Sequence, residues 1–470
     1  MSEILNVEML SRVQFAVVAG LHILFPPLTI GLSLIIFFLE ASWVRTKDLF
    51  YLQHTKFWMR IFVLNFGIGV VSGIPMEFLF GVNWGPLSTN NGAFLGNLLG
   101  FEAVLAFMLE AAFLSIMVFG WTRVPPKAHL AATGIVTFAA TLSAFWIMSA
   151  SSWMQTPSGI TLVNDKIVIS DYLAAIFNPS FPASFLHMEM ASIELSLFVT
   201  GGISAWYILK GRNTDFFLRL LKISLTALIL VAPLQVLLGD WEGQNIAHHQ
   251  PAKLAATEAH WNTNPPGTGA SWSLLAWPNR ETQSNDWSIE IPYVLSLLIH
   301  HDPKASVIGL REFPREDQPP VLIPYYTFRI MMAIGFFFAG LALWTGWLWW
   351  RGRLDMTHAP RQRWLWRAWI LSIPLAYLAV ESGWFLREVG RQPWVIYGIM
   401  RTEHAYSQIP LQSLIWSLGS YALLYTTLIV IGFYFARRIL REGPDLDTPI
   451  KTFSGSHKPS AELAHRTQGS

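Results

Sequence analysis

Nine stretches of this 470-residue chain are apolar for long enough to cross a bilayer, a crossing that takes a helix of about 20 residues. In hydrocarbon no water is available to the backbone, so each stretch must be a helix and the helices must pack on one another. The predicted spans are 14–42, 58–82, 98–121, 129–150, 185–209, 219–239, 326–350, 364–386 and 411–436. Composition agrees, with 53% of residues apolar and only 13% charged, against about a quarter charged in a soluble chain. The fold class predicted is an all-α polytopic membrane protein with the lipid bilayer as its solvent. The absence of cysteine excludes disulfides, thiolate metal sites and iron–sulfur clusters. A net charge of +2 without a basic run excludes a nucleic-acid partner. The opening "MSEILNVEMLSRVQF" is acidic and has no cleavage pattern, so no cleaved signal peptide is predicted.

Loop charge predicts orientation. Arg45, Lys47 and Lys56, then Arg123 and Lys127, Lys210 and Arg212, Arg351, Arg353, Arg361 and Arg363, and Arg437, Arg438 and Arg441 all fall on one side. The opposite side has no Lys or Arg in 83–97 and only Lys166 in 151–184. Basic loops stay in the cytoplasm, which places the N-terminus outside and the C-terminus inside. The segment 387–410 breaks the pattern, with Arg387, Arg391 and Arg401 outside, and calls for an anionic partner there. Four regions follow: helices one to six in 1–239, an external loop at 240–325, helices seven to nine in 326–436, and a polar, disordered cytoplasmic tail at 437–470.

Ionisable residues inside spans are costly and mark functional sites by default. His22 precedes Pro26 by four residues, and proline offers no amide proton to the His22 carbonyl, so the helix should bend beside the imidazole. Glu102 and Glu110 share the third span, about 80° apart on an ideal helix. His187 begins the fifth span, Met331 lies about two turns into the seventh with Arg329 just outside it, and Glu381 is buried in the eighth. The predicted topology brings His22, Glu102, His187, Met331 and Glu381 to one depth, in the outer leaflet. Imidazoles, a thioether and carboxylates without thiolates suit haem, and a His–Met pair is a low-spin, six-coordinate ligation. In the loop, "AKLAATEAHW" reads as a short helix carrying Lys253 and Glu258; a cation and a carboxylate over a redox site suit a quinol, whose hydroxyls must lose protons.

Six segments taken together resemble subunit I of the cytochrome bd-type quinol oxidases: "SRVQFAVVAGLHILFPPLTIG", "TKFWMRIFVLNFGIGVVSGIPMEFLFGVNW", "FEAVLAFMLEAAF", "GDWEGQNIAHHQPAKLAATEAHW", "FRIMMAIGF" and "AVESGWFLREVGRQPW". The resemblance spans about residues 9–436 and implies nine helices with the N-terminus outside. It implies that His187 and Met331 are the axial ligands of a low-spin haem b. It implies that His22 and Glu381 serve the two high-spin haems, one a haem b and the other a haem d or a haem b in its place, without saying which ligand serves which. Lys253 and Glu258 match quinol-loop residues, Glu102 and Glu110 match carboxylates by the high-spin pair and the proton route, and Arg12, Arg329 and Arg391 match arginines near the haems. The partners implied are quinol, O2, a second transmembrane subunit (subunit II) and, as an optional addition, a small single-span subunit. The location implied is the bacterial inner (cytoplasmic) membrane, as a respiratory-chain terminal oxidase. Two departures stand out. The segment "VIGLREFPREDQPPVLIPYYTFRIMM" is short, as in the short-loop, cyanide-insensitive-like group, and Ser151 in "SASSWMQTP" stands where some relatives carry Asn. From the residues alone, an ion-coupled transporter and a dihaem electron-transfer cytochrome remain as alternatives.

Overall fold

The computed structural model describes residues 6–163, 166–447 and 452. Among these, nine helices are long and apolar enough to cross a membrane: Val7–Thr46, Leu49–Val82, Leu95–Phe119, Pro126–Gln155, Phe181–Leu209, Thr214–His249, Leu322–Trp350, Arg363–Val389 and Leu411–Glu442. They are called the first to ninth spans below. They alternate in direction, so the long segment between the sixth and seventh spans, the 156–180 and 390–410 connections and the chain start share one end of the bundle, here the loop side.

The fifth span is the axis of the bundle and packs against the first, fourth, sixth and eighth. The apolar stretch of the fifth span is 78% buried, against 11% for the ninth, which places one at the centre and the other at the rim. Its small residues explain the position. Gly201 receives the ring of Trp369, and Gly202 receives Ile373 together with the Trp369 backbone carbonyl. Small residues at helix interfaces let neighbouring helices approach closely. A large core of aromatic and aliphatic side chains, including Trp58, Phe198, Tyr207, Trp366 and Trp369, fills the half of the bundle away from the loop side.

The expected bend is present. The first span is two helices, Val7–Ile23 and Pro26–Thr46, with Pro26 as the first residue of the second. "AKLAATE" is helical within Pro251–Glu258. Other expectations need correction. The sixth span runs to His249, ten residues past its predicted end, so the loop starts at 250 and both Asp240 and Glu242 are helical. The seventh span begins at Leu322, four residues before its predicted start, which puts Arg329 two turns inside the helix. The ninth continues through Glu442, with Arg438 donating to the Glu442 carboxylate at 2.9 Å. The tail predicted from 437 therefore starts six residues later, and its remainder from 448, apart from 452, lies outside the described residues. In the sixth and ninth spans apolarity stops before the helix does, because a polar turn at the membrane surface still satisfies its backbone within the helix.

Candidate functional site

The third span contains a π-helical stretch, Glu102–Phe107, between two α-helical parts. Such a turn absorbs about one extra residue, so the eight steps from Glu102 to Glu110 advance like roughly seven. That is about two whole turns, and it brings the two carboxylates closer to one face than the predicted 80°. The Glu102 carboxylate accepts from Ser143 Oγ of the fourth span at 2.7 Å. Glu110 is buried, and its Oε1 has no partner among the described residues.

The four candidate iron ligands share one feature: each faces a glycine of a neighbouring helix. A Cβ built on Gly73 would come 3.1 Å from His22 Cε1, and one on Gly20 would come 3.5 Å from Glu381 Oε2. A Cβ on Gly239 would come 3.4 Å from His187 Cε1, and one on Gly383 3.3 Å from Met331 Sδ. His22 Nδ1 is also 3.0 Å from Ser72 Oγ. His187 is approached by Gln235 Nε2 of the sixth span, 3.4 Å from Nδ1 and 3.5 Å from Nε2. Gln235 Oε1 and Glu381 Oε1 are both buried without a partner among the described residues. Gly20 of the first span thus faces Glu381 of the eighth, His22 two residues on faces Gly73 and Ser72 of the second, and Met331 addresses the eighth span at Gly383. Glycine opposite an imidazole, a thioether or a carboxylate lets that group lie close against the neighbouring helix with no Cβ in its way. The orphaned polar atoms nearby want a partner, because a buried polar group without one costs about 1–3 kcal/mol. Donors and cradle together fit a bulky metallo-cofactor.

Sequence placed Lys253 and Glu258 together as loop residues; the structure separates their roles. Both are buried, on different sides of their short helix. Lys253 Nζ donates to Gln155 Oε1 and to the Arg387 backbone carbonyl, each at 3.1 Å. Burial, aided by the Arg387 charge and opposed by Glu242, pushes its pKa down to about 7. Glu258 instead accepts from Arg329 Nη2 at 2.7 Å, and Arg329 Nε and Nη2 also donate to the Ser273 carbonyl at 3.1 and 2.6 Å. A loop carboxylate and a span arginine, given different tasks from sequence, are one buried ion pair, two residues from Met331. Arg12 donates to Gln392 Oε1 at 3.3 Å, which places it beside Arg391, whose guanidinium donates to Glu388 and to the Trp394 carbonyl. Burial lowers the Arg391 pKa, against the pull of Glu388.

Several residues of this region were not found from sequence. Gln155, the end of the fourth span, lines an opening of about 320 Å³ with Thr156, Pro157, Pro179, His249, Tyr397 and Ile399. Ser184, Glu242 and Arg387 form a hydrogen-bonded group above His187. Glu242 was hidden because "GDWEGQ" reads as loop. The charge rule did single out Arg387, as an outward cation wanting an anion.

Comparison with known proteins follows the same lines. Residues 10–444 match the family described as cytochrome bd terminal oxidase subunit I. The chain is 32% identical over 457 residues to cytochrome bd ubiquinol oxidase subunit 1 of Bacillus subtilis (strain 168), covering 94% of this chain and 96% of that one. It is 32% identical over 504 residues to cytochrome bd-II ubiquinol oxidase subunit 1 of Escherichia coli (strain K12), covering 93% and 96%. The solved bd oxidase of Geobacillus thermodenitrificans superposes with a TM-score of 0.85 at 30% identity, over 94% of this chain and 99% of that chain.

Proposed function

The chain belongs to the cytochrome bd terminal oxidase subunit I family, a haem-containing family of multi-pass quinol oxidases, and on that premise we propose how its residues divide the reaction. Membership sets aside the transporter reading. His187 and Met331 would hold the low-spin haem b, and His22 and Glu381 the two high-spin haems, one b and the other d or a second b. Bound there, these groups would supply one-electron transfer and the redox chemistry for reducing O2 to water. The observation that carries the assignment is the glycine facing each of the four ligands.

The protein's own groups handle the protons. A quinol ring entering the opening beside Gln155 reaches the Lys253 network, where an amine with a pKa near neutrality exchanges protons at working pH. Glu258, neutralised by Arg329, orders the other side of the short helix. Glu110 and Glu102, the latter held by Ser143, pass protons inward from the opposite side. With the loop side outside, as the basic loops argue, quinol protons leave outward while those consumed by O2 come from the cytoplasm. Proton motive force then arises from charge separation without a pump. The segment between the sixth and seventh spans is the external quinol-binding region. Subunit II completes the enzyme in the bacterial inner membrane, as the relatives' designation "subunit 1" supports, with a small single-span subunit as an optional partner.

The test is a reduced-minus-oxidised spectrum with pyridine haemochrome quantification on the purified complex. His187→Ala and Met331→Ala should abolish the low-spin band and leave the high-spin signals. Retention of every band in both variants would refute the ligand assignment. Proteoliposomes supplied with quinol should acidify the loop side, and alkalinisation there would refute the sidedness.

A further inference from the structure

Three arginines on the loop side share one arrangement. Arg329 is paired with Glu258, Arg387 with Glu242 and Arg391 with Glu388, and each keeps one terminal nitrogen buried without a partner among the described residues: Nη1 of Arg329, Nη2 of Arg387 and Nη1 of Arg391. Arg329 and Arg391 already carry an expected role near the haems. Arg387 carries only the expectation of an anionic partner that the loop charges gave it.

Its surroundings hold it in place. Nε donates to Ser151 Oγ at 3.1 Å, and Nη1 donates to Ser184 Oγ at 2.9 Å and to Glu242 Oε1 at 3.3 Å. The Ser184 hydroxyl in turn lies 3.0 and 3.1 Å from the two Glu242 oxygens. Three helices therefore clamp the guanidinium, and Nη2 alone has no partner among the described residues. Helix geometry says where. Ser184 is three residues before His187, and Gly383, which faces Met331, is four residues before Arg387. Both steps are close to one turn, a rise of about 5 Å. The guanidinium therefore sits about one turn toward the loop side of both the His187 and the Met331 faces. A buried, charged N–H donor in that position suits a carboxylate acceptor.

We propose that Arg387 is a further positioning residue, which donates its free Nη2–H to a carboxylate edge of the haem held between His187 and Met331, while Glu242 sets the local charge. The proposal rests on the reading of His187 and Met331 as that haem's ligands. The Arg387 backbone carbonyl also accepts from Lys253 Nζ, so one residue joins the quinol-side lysine to the haem pocket. Ser151, standing where some relatives carry Asn, acquires a task in this chain as the acceptor for Nε.

A cation beside a haem disfavours its ferric, more positive form, and an anion favours it, because net charge around the site sets the potential. Spectroelectrochemical titration of the low-spin band in the intact complex reads this directly. Arg387→Gln should lower the midpoint, Glu242→Gln should raise it, and the double variant should return close to the unmodified protein. Arg387→Lys, which keeps the charge, should shift less than Arg387→Gln. Should Arg387→Gln fail to assemble, Glu242→Gln and Arg387→Lys decide the matter alone. Shifts of the same sign for the two single glutamine variants, or no shift in Glu242→Gln at full haem content, would overturn the proposal. His187→Ala is the separate control: a low-spin band surviving in it defeats the ligand reading itself, whatever Arg387 does.

Discussion

The two halves of this bundle use glycine in opposite ways. In the half away from the loop side, glycine is a place to be filled: the Trp369 ring closes on Gly201, Ile373 on Gly202, and Ser196 on Gly31. In the loop-side half, Gly20, Gly73, Gly239 and Gly383 face the working ends of Glu381, His22, His187 and Met331 at 3.1–3.5 Å from a notional Cβ. Polar groups do not divide so cleanly. Both carboxylate oxygens of the inner Glu40 are met, by His129 and Thr133 at 2.7 and 2.6 Å, yet His129 Nε2, His54 Nδ1 and Trp58 Nε1 of that half are buried with no partner among the described residues. Around the ligands Gln235, Glu381, Arg329, Arg387 and Arg391 each keep such an atom as well. The contrast lies in the glycines: a notional Cβ meets its neighbour at 2.3–2.5 Å on Gly201, Gly202 and Gly31, and at 3.1–3.5 Å beside the four ligands.

Substitutions can break or sharpen that contrast. The largest effect is expected at Arg329→Met, which strands Glu258 in a buried site; losing one partner of such a pair costs about 3–5 kcal/mol. Thermal inactivation of the detergent-solubilised complex should show it, and stability unchanged within error would mean that the pair is not closed. Gly201→Ala comes next. Its methyl meets the buried Trp369 ring, an overpacking worth about 1–3 kcal/mol, with haem spectra unaltered in whatever protein folds. Gly383→Ala should do the reverse, leaving stability nearly unchanged while altering the low-spin band through Met331. If the two alanine variants behave alike, the contrast between the halves is wrong. The smallest effect is a slope. Burial pushes the Lys253 pKa down to about 7 in the folded protein, against the usual lysine value of 10.5 when unfolded. The unfolded state thus binds more protons between those values, so stability rises with pH across that window and the gain is absent below 7. Lys253→Met should flatten that rise in inactivation curves measured from pH 7 to 10, and an undiminished slope would count against a buried amine.

The legible part of the molecule was the part fixed by chemistry along the chain. Apolar length gave the spans, proline four residues after His22 gave the break, and the His, Met and Glu types gave a haem-like donor set. Helix ends were less legible, because His249 and Glu442 close helices whose final turns are polar. The angle between Glu102 and Glu110, read as about 80° on one broad face, narrows for a related reason: a π-turn costs little in sequence signal and changes the phase of everything after it.

By itself the sequence determined that the chain must be a bundle of membrane helices and which of its side chains are too polar to be there without a reason. Partial burial of a carboxylate or an imidazole in hydrocarbon is expensive whatever the neighbours, so its presence is informative at once. Which groups answer one another was decided only in three dimensions. Glu258 meets Arg329 across 71 positions of chain, and Arg387 meets Ser151 across 236. Such partners are set by how whole helices seat against the small residues of the fifth span, and by no feature of either residue's own surroundings in the chain.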